Sequence, residues 1–155
     1  MNNIKKVCLI SSSGGHLEQI KQLKDVISKY DCFFVVTKTK ATIAMKQKHY
    51  IVSDMIRSNF IIKVLQMIRM FFEQFLIFCK ERPKVIITTG AGVAIPMCII
   101  GKIFNCKVIY IESYARINTP NKTGQFIYKI ADLFIIQWLE LQKYYPAAIY
   151  GGAIY

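Results

Sequence analysis

The sequence predicts an α/β fold, in which a parallel β-sheet carries helices on both of its faces. Short runs rich in Val, Ile and Phe alternate with longer amphipathic stretches, which is the pattern of strand–helix–strand units. The runs are almost continuously apolar, and this is typical of strands that are buried on both faces of a parallel sheet. A chain of 155 residues can form one domain with its own core, so we expect a single domain over residues 1–155.

Two of the predicted strands run directly into glycine turns. The strand over residues 7–10 is followed by a turn at 11–15 and a helix over 16–29, and the strand over 85–88 is followed by a similar turn. Glycine lets the backbone approach a ligand closely, and the start of a helix offers free N–H groups to an anion. The other predicted elements are strands at 32–36, 50–52, 108–111 and 133–136, and helices at 59–81, 94–104, 124–131 and 139–144.

The composition narrows the range of functions. The net charge is +12, and 17 of the 21 basic residues are Lys. Recognition of bases favours Arg, so we expect no specific nucleic-acid binding, whereas dispersed Lys suits an anionic membrane surface or simple solubility.

The five Cys form no CxxC pair and there are only two His, so we expect reduced thiols in the cytoplasm and no metal site. The first predicted strand begins close to Met1, so we expect no signal peptide.

The predicted helix over residues 59–81 has an unusually wide apolar face. At 100° per residue its polar side chains fall within an arc of about 140°. These polar residues are Lys63, Gln66, Arg69, Glu73, Gln74 and Lys80. Such a helix suits a membrane interface, a partner protein, or a core in which two of its sides are covered. No apolar run reaches the roughly 20 residues of a membrane-spanning helix.

The carboxyl ends of three predicted strands meet at one edge of the sheet, where open α/β sheets bind their ligands. These ends carry the two glycine turns and the pair Glu112 and Ser113. The motifs GxGxxG, GxxxxGK[ST] and GxSxG are absent from the sequence, which argues against a dinucleotide site, a P-loop and an α/β-hydrolase. His16 at a helix start is suited to proton transfer as a neutral imidazole, but a purely structural bond to the turn explains it equally well.

Several segments occur together in an order that resembles a known family. They are SSSGGH at 11–16, TTGAGVAIP at 88–96, VIYIESYARI at 108–117, ADLFIIQW at 131–138 and YYPAAIYGG at 144–152. Over nearly its whole length the chain resembles the acceptor-side subunit of two-component N-acetylglucosaminyltransferases. Eukaryotic members of that family act in lipid-linked oligosaccharide synthesis, and bacterial relatives act in capsule and exopolysaccharide synthesis.

The resemblance implies the Rossmann-like N-terminal half of a GT-B glycosyltransferase. In that family the GGH turn faces a lipid-diphosphate acceptor, a separate donor-binding polypeptide holds the nucleotide sugar, and no cofactor takes part. The 155 residues contain one such half and no apolar N-terminal segment, so we expect neither a second half nor the membrane anchor of the eukaryotic members. We therefore expect a bacterial relative that attaches peripherally to the cytoplasmic face of an anionic membrane.

The resemblance and the residue chemistry together give expected roles. His16 is the first candidate for a general base, and Glu112 is the second. The acceptor diphosphate is expected to contact Ser12, Ser13, Gly14, Gly15, Thr89, Gly90, Gly92, Ser113 and Arg116. Partner or sugar contacts are expected at Gln137, Trp138 and Glu140, and membrane contacts at Phe60, Val64, Phe71, Phe72 and Phe75. Two alternatives remain open: a structural ion pair between Arg116 and Glu112, and a non-catalytic scaffold that anchors and activates a catalytic subunit.

Overall fold

In the computed structural model, which describes residues 5–54 and 59–154, seven parallel strands form one sheet. In chain order they are β1 (Lys6–Ser11), β2 (Asp31–Thr37), β3 (His49–Val52), β4 (Val85–Thr88), β5 (Lys107–Ile111), β6 (Leu133–Ile136) and β7 (Ile149–Tyr150). Their order across the sheet is β3-β2-β1-β4-β5-β6-β7, and every neighbouring pair is parallel. The winding reverses between β1 and β4, so the carboxyl ends of these two strands flank a crevice.

Helices cover both faces of the sheet, as the sequence predicts. They are α1 (Gly15–Lys21), α2 (Lys24–Lys29), α3 (Lys40–Ile43), α4 (Phe60–Glu81), α5 (Ala94–Ile103) and α6 (Lys122–Tyr128), with a 3₁₀ turn at Leu139–Leu141. Because side chains alternate along a strand, Cys8 and Ile10 of β1 belong to one buried cluster, which includes residues of α4, α5 and α6. Val7 and Leu9 belong to the opposite cluster, with residues of α1.

The predicted helix over residues 16–29 is in fact two short helices, α1 and α2. The break falls at Leu23, whose ψ of 51° is not helical, and the Lys24 N–H donates to the Gln22 carbonyl at 2.7 Å. Leu23 packs against the second buried cluster, so the turn directs an apolar side chain inward. No Gly or Pro marks this position in the sequence, and the periodic pattern therefore gives no sign of the break.

Two short elements, α3 and β7, are missing from the prediction. The single turn of α3 is held by a reciprocal cap, in which the side chains of Thr39 and Thr42 each accept a bond from the other residue's N–H. β7 has only two residues and lies at the edge of the sheet. α6 begins two residues before the predicted 124 because Asn121 caps it, with its Oδ1 accepting from the Gly124 N–H at 2.6 Å.

The long helix α4 packs differently from what its polar arc predicts. The residues that it buries are Met70, Gln74, Phe78 and Glu81. Gln74, a member of the predicted solvent-facing arc, donates from Nε2 to the Val93 carbonyl at 2.9 Å inside the core. Large apolar side chains remain outside, and Phe60 and Phe72 are 79% and 64% exposed. None of the helices in the described parts of the chain is long and apolar enough to cross a membrane.

Candidate functional site

A cleft of about 380 Å³ opens at the carboxyl edge of the sheet, between the β1–α1 turn, the β4–α5 turn and the loop from β5 to α6. It is lined by His16, Ala91, Ser113, Ala115, Arg116, Asn121, Lys122 and Thr123. Three residues that the sequence predicts for one site, His16, Ser113 and Arg116, therefore meet here. The lining contains two cationic side chains and no acidic one among the described residues. The cleft is therefore suited to an anionic group.

His16 is held against the β4–α5 turn by two reciprocal bonds with Thr89. The ring Nδ1 lies 2.8 Å from the Thr89 carbonyl, and the Thr89 hydroxyl donates to the His16 carbonyl at 2.9 Å. A carbonyl can only accept a hydrogen bond, so Nδ1 carries the hydrogen and Nε2 of the neutral ring has a free lone pair. The predicted contact of Thr89 with phosphate is replaced by this supporting role, because Thr89 is fully buried.

The surroundings of His16 favour its neutral form. Burial lowers the pKa of His16 from its usual 6.5, the bond to the Thr89 carbonyl opposes this in part, and the nearby Arg116 guanidinium lowers the pKa further. At neutral pH the imidazole is therefore mostly unprotonated. The fixed tautomer leaves Nε2 able to accept a proton, and the lowered pKa keeps the ring unprotonated.

The two glycine turns differ in the groups that they leave open. Nothing lies within 4 Å of a Cβ placed on Gly14 or Gly15, and both residues are exposed. Nearby, Ser13 is tied to the end of β2, because its N–H donates to the Thr37 hydroxyl at 3.0 Å. In the second turn the Gly90 N–H is already used, since it donates to the Thr88 hydroxyl at 3.0 Å. The first turn is therefore the more accessible of the two predicted cradles.

Glu112 lies behind the cleft, and its side chain is fully buried. Its carboxylate accepts bonds from the Asn121 amide at 2.6 Å, the Ser113 N–H at 2.9 Å, and the hydroxyls of Tyr145 and Tyr110 at 3.1 and 3.3 Å. Burial raises the pKa of Glu112, although the bonds from Ser113 and the two tyrosines oppose this. A carboxylate with four donors and no surface is placed to hold Asn121 at the cleft rather than to touch a ligand.

Arg116 is exposed at the mouth of the cleft. The described part of the chain shows no ion pair between its guanidinium and Glu112, so the alternative of a structural ion pair is not supported. The guanidinium is still close enough to lower the pKa of Glu112. Its donors therefore remain available for a bidentate bond to a phosphate.

The three residues expected to contact a partner or sugar lie outside the cleft and differ from one another. Gln137 is 2% exposed, and its side chain donates to the Glu112 carbonyl at 2.9 Å and accepts from the Ile154 N–H at 3.1 Å. The expected surface contact is therefore wrong for Gln137, which joins two strand ends. Trp138 is half-buried against Tyr114, with its indole N–H 2.8 Å from the Tyr114 carbonyl, and Glu140 is exposed.

The expected membrane residues lie on the outer face of α4. Phe60, Val64, Phe72 and Phe75 are exposed, whereas Phe71 is half-buried and packs against the core. An open apolar groove of about 430 Å³ runs along this face and is lined by Met67, Ile68, Phe71, Phe72 and Phe75. A monomeric protein rarely exposes an apolar surface of this kind without a partner or membrane to cover it.

Sequence reasoning missed Asn121, Lys122 and Thr123 as residues of the cleft. They form the cap and first turn of α6, which the apolar pattern places only at residue 124. The signal that identifies them is the polar run Asn121–Lys122–Thr123 after Pro120, because Asn is a preferred cap residue. The long loop from β5 to α6 folds back over the strand ends, and this brings the run next to His16.

The sheet order and the crevice between the two glycine turns define a Rossmann-like domain of the type that forms each half of a GT-B glycosyltransferase. The fold is similar to MurG from Acinetobacter baumannii, with a TM-score of 0.72 and 14% identity over 88% of this chain and 42% of that chain. It is equally similar to UDP-N-acetylglucosamine 2-epimerase from Rickettsia bellii, with a TM-score of 0.72 and 12% identity over 94% of this chain and 42% of that one.

The chain belongs to the family described as oligosaccharide biosynthesis protein Alg14 like, whose model matches residues 7–154. It is 37% identical over 81 residues to the UDP-N-acetylglucosamine transferase subunit ALG14 of Candida albicans, over 48% of this chain and 37% of that protein. It is 27% identical over 81 residues to the human protein of the same name, over 48% of this chain and 38% of that protein. The alignments thus span less than two fifths of these curated relatives.

Proposed function

We propose that this chain is the acceptor-binding subunit of a two-component glycosyltransferase, a single acceptor-side domain that also recruits the complex to a membrane. The complex transfers a sugar from a nucleotide sugar to a polyprenyl-diphosphate-linked saccharide, and a separate donor-binding subunit holds the nucleotide sugar. Support comes from the family, from relatives named as transferase subunits, and above all from the free Nε2 of His16 in a cationic cleft.

In this proposal His16 is the general base. Nε2 removes the proton from the acceptor hydroxyl, and the oxygen then attacks the anomeric carbon of the donor sugar while the nucleotide diphosphate leaves. The tautomer fixed by Thr89 supports this role, because it leaves the lone pair on the nitrogen that is not bound to the turn. Glu112 then acts indirectly, by holding Asn121 at the wall of the cleft.

The acceptor diphosphate is proposed to bind between Arg116, Lys122 and the open first turn. Arg116 and Lys122 are exposed or partly exposed at the cleft, and the backbone of Gly14 and Gly15 is accessible to a ligand. Ser12, Ser13 and Ser113 are near enough to the same edge to contribute hydroxyl groups. The Gly90 N–H already donates to the Thr88 hydroxyl and is not free for a phosphate. Gly90 and Gly92 are therefore proposed to shape the opposite wall without donating to the ligand.

The role of His16 can be tested with His16→Ala in the complex reconstituted with the donor-binding subunit. Loss of a general base should lower turnover by about 10²–10⁴-fold. The matched control is His49→Ala, because His49 is the other histidine and its Nδ1 also lies 2.8 Å from a backbone carbonyl, that of Gln47. Near-full turnover of His16→Ala in an assembled complex would remove His16 from the mechanism.

We also infer that the chain requires its partner for turnover. The motivation is that its relatives are named as subunits and that its fold matches 42% of MurG. The purified chain should give no transfer from labelled UDP-N-acetylglucosamine to a lipid-diphosphate acceptor, and addition of the donor-binding subunit should restore it. Transfer by the chain alone contradicts the two-component proposal.

Membrane recruitment is proposed to use the exposed face of α4, on the cytoplasmic side. Ile68 and Phe72 are 60% and 64% exposed, and an interfacial helix buries such residues among the lipid headgroups and acyl chains. Ile68→Ser combined with Phe72→Ser should abolish co-sedimentation with phosphatidylglycerol vesicles. Ile149→Ser combined with Tyr150→Ser, at residues that are also exposed but lie on β7, forms the control. Equal binding by both folded double variants would rule out α4.

A second candidate function is that of a non-catalytic scaffold that anchors and activates the catalytic subunit. The observation that favours it is the apolar groove on α4, which fits a partner helix as well as lipid. If His16→Ala keeps its turnover while Phe72→Ser prevents assembly, the scaffold is the correct function. If His16→Ala assembles but is inactive, the acceptor-side enzyme subunit is correct.

For the biological product, we propose a bacterial capsule or exopolysaccharide, on the basis of the sequence resemblance. Deletion of the gene from its host should remove one surface polysaccharide and leave protein N-glycosylation unchanged. Complementation by the His16→Ala variant should fail if the cleft is catalytic. Loss of protein glycans with an unchanged surface polysaccharide would exclude this product.

A further inference from the structure

A second cavity lies at the amino edge of the sheet, away from the cleft that contains His16. Its volume is about 540 Å³, and its lining is mostly cationic: Lys5, Lys6, Glu81, Arg82, Lys84, Val85, Asn105 and Lys107. Apart from Glu81, the last residue of α4, these residues belong to the starts of β1, β4 and β5 and to the loops that precede them. The proposed glycosyltransferase function uses none of them.

Three of the lysines lie at or just before the starts of adjacent strands. The Lys84 N–H donates to the Lys6 carbonyl at 2.9 Å, and the Lys107 N–H donates to the Lys84 carbonyl at 3.0 Å. Neighbouring strands are about 4.8 Å apart, so these backbone bonds hold the three residues close together at one edge of the sheet. A group of cations that is open to solvent is suited to a ligand of the opposite charge.

The acidic groups near the cavity do not neutralise it. Glu81 is already shared by the ammonium groups of Lys6 and Lys48, at 3.0 and 2.9 Å, and Lys107 pairs with Asp132 at 3.1 Å. In the described residues no ion pair involves Lys5, Arg82 or Lys84. Three cations with no acidic partner therefore surround one cavity.

The backbone keeps these cations in place. Arg82 follows the last residue of α4 in the left-handed region, with φ of 48°, and its N–H donates to the Phe78 carbonyl at 2.7 Å. This turn brings the guanidinium to the same cavity as Lys84. Arg82 and Lys84 also line an adjoining cavity of about 340 Å³, whose other walls include Phe78, Pro83 and Phe104.

We propose that the amino-edge cavity is a second, phosphate-binding site, independent of the acceptor cleft. Its ligand is a phosphate group bound by Lys5, Lys84 and Arg82. The group has two sources: a free phosphate would occupy the cationic cavity alone, whereas the phosphate of an anionic lipid would also extend its acyl chains along Phe78 and Phe104 in the adjoining cavity.

The test uses the full chain and the double variant Lys5→Gln with Lys84→Gln. Both lysines are exposed, so their replacement leaves the core intact. The control is Lys24→Gln with Lys29→Gln, because these exposed lysines of α2 carry the same total charge. One arm titrates inorganic phosphate by calorimetry, and the other measures binding to phosphatidylglycerol vesicles. Arg116→Gln is measured in both arms to separate this site from the acceptor cleft.

The double variant should bind about tenfold more weakly than the control in one of the two arms. A loss with inorganic phosphate assigns the site to a free phosphate, and a loss with vesicles only assigns it to a lipid. Because Arg116 lines the acceptor cleft, Arg116→Gln reports binding at that cleft alone. Lys5→Gln with Lys84→Gln should therefore cause the same further loss in an Arg116→Gln background, whether or not His16 proves to be catalytic. Equal weakening by the control, or no binding of either probe by the wild-type chain, overturns the proposal.

Discussion

Glu81 and Glu112 are both buried, at 5% and 0% exposure, but they lie at opposite edges of the sheet. Their pKa values are shifted in opposite directions. Burial raises the pKa of Glu112, and the bonds that it accepts do not fully offset this. Burial would also raise the pKa of Glu81, but bonds from Tyr50, Lys48 and Lys6 lower it to about 2. In Glu81 the bonds from a tyrosine hydroxyl and two ammonium groups outweigh burial, whereas in Glu112 the bonds from neutral donors do not.

The difference follows from the donors that each edge of the sheet supplies. Glu112 accepts only from neutral groups: the Asn121 amide, a backbone N–H and two tyrosine hydroxyls. This leaves the cations at the carboxyl edge, including Arg116, free to face a ligand. Glu81 instead binds two ammonium groups directly and joins α4 to the starts of β1 and β3.

The largest effect on stability should come from Glu112→Ala. It leaves four donors without their acceptor in a buried site, and each such group costs about 1–3 kcal/mol unless water replaces the carboxylate. We expect a loss of at least about 3 kcal/mol in the free energy of unfolding, measured by urea denaturation. Glu112→Gln, which retains an acceptor oxygen, should lose about 1 kcal/mol. Equal losses for the two variants would mean that the network does not depend on its acceptor.

Gly124→Ala should destabilise the same network from the side of α6. A Cβ at this position would lie 2.6 Å from Glu112 Oε2 and 2.8 Å from the Tyr145 hydroxyl. These atoms are buried and bonded to each other, so we expect a loss of about 2 kcal/mol by thermal or urea unfolding. Gly15→Ala is the control, because nothing lies within 4 Å of its Cβ. A similar loss in the control would trace the effect to glycine replacement in general.

Glu81→Gln should destabilise the chain less than Glu112→Ala. Its lysine partners, with side chains 30% and 50% exposed, can return to water when the carboxylate is lost. We therefore expect a loss of about 1–2 kcal/mol. Glu18→Gln, which removes a solvent-exposed pair with Lys21, is the matched control and should cost less than about 0.5 kcal/mol. If Glu81→Gln lowers the free energy of unfolding by more than Glu112→Ala does, the amino edge contributes more to stability than the carboxyl edge, contrary to this prediction.

The smallest effect that we expect is on the pH dependence of stability, to which Glu81 and Glu112 contribute with opposite signs. Unfolded Glu81 binds its proton at higher pH than folded Glu81, so its contribution to stability rises with pH between about 2 and 4.5 and is present above that range. Folded Glu112 keeps its proton to higher pH than the unfolded chain, so its contribution falls as pH rises above 4.5. The free energy of unfolding should be measured by urea denaturation from about pH 2 to above pH 4.5. Glu81→Gln should remove the rise in stability below pH 4.5, and Glu112→Gln should remove the fall above it. If both variants change the slope in the same direction, the comparison fails.

The sequence predicts much of the fold and part of the candidate site. The six longer strands follow from their apolar runs, and the cleft residues His16 and Ser113 follow from their positions after strands. Arg116 follows from the family resemblance. The break at Leu23 was not readable because no Gly or Pro marks it. The strand β7 was not readable because two residues are too few to show a periodic pattern. Asn121 and Lys122 were missed because the apolar pattern predicts that α6 begins at residue 124. The helix in fact begins at Lys122, and Asn121 caps it.

The sequence by itself determined the parallel α/β fold, since near-continuous apolar strands and intervening helices have few other ways to bury their surface. It also determined that glycine turns and a histidine follow the strands at one edge. Only the tertiary structure decided the chemical state of each group: Thr89 fixes the His16 tautomer, Asn121 binds Glu112, and α4 buries Gln74 while leaving Phe72 outside. These outcomes depend on contacts between residues far apart in the chain, and local patterns do not contain that information.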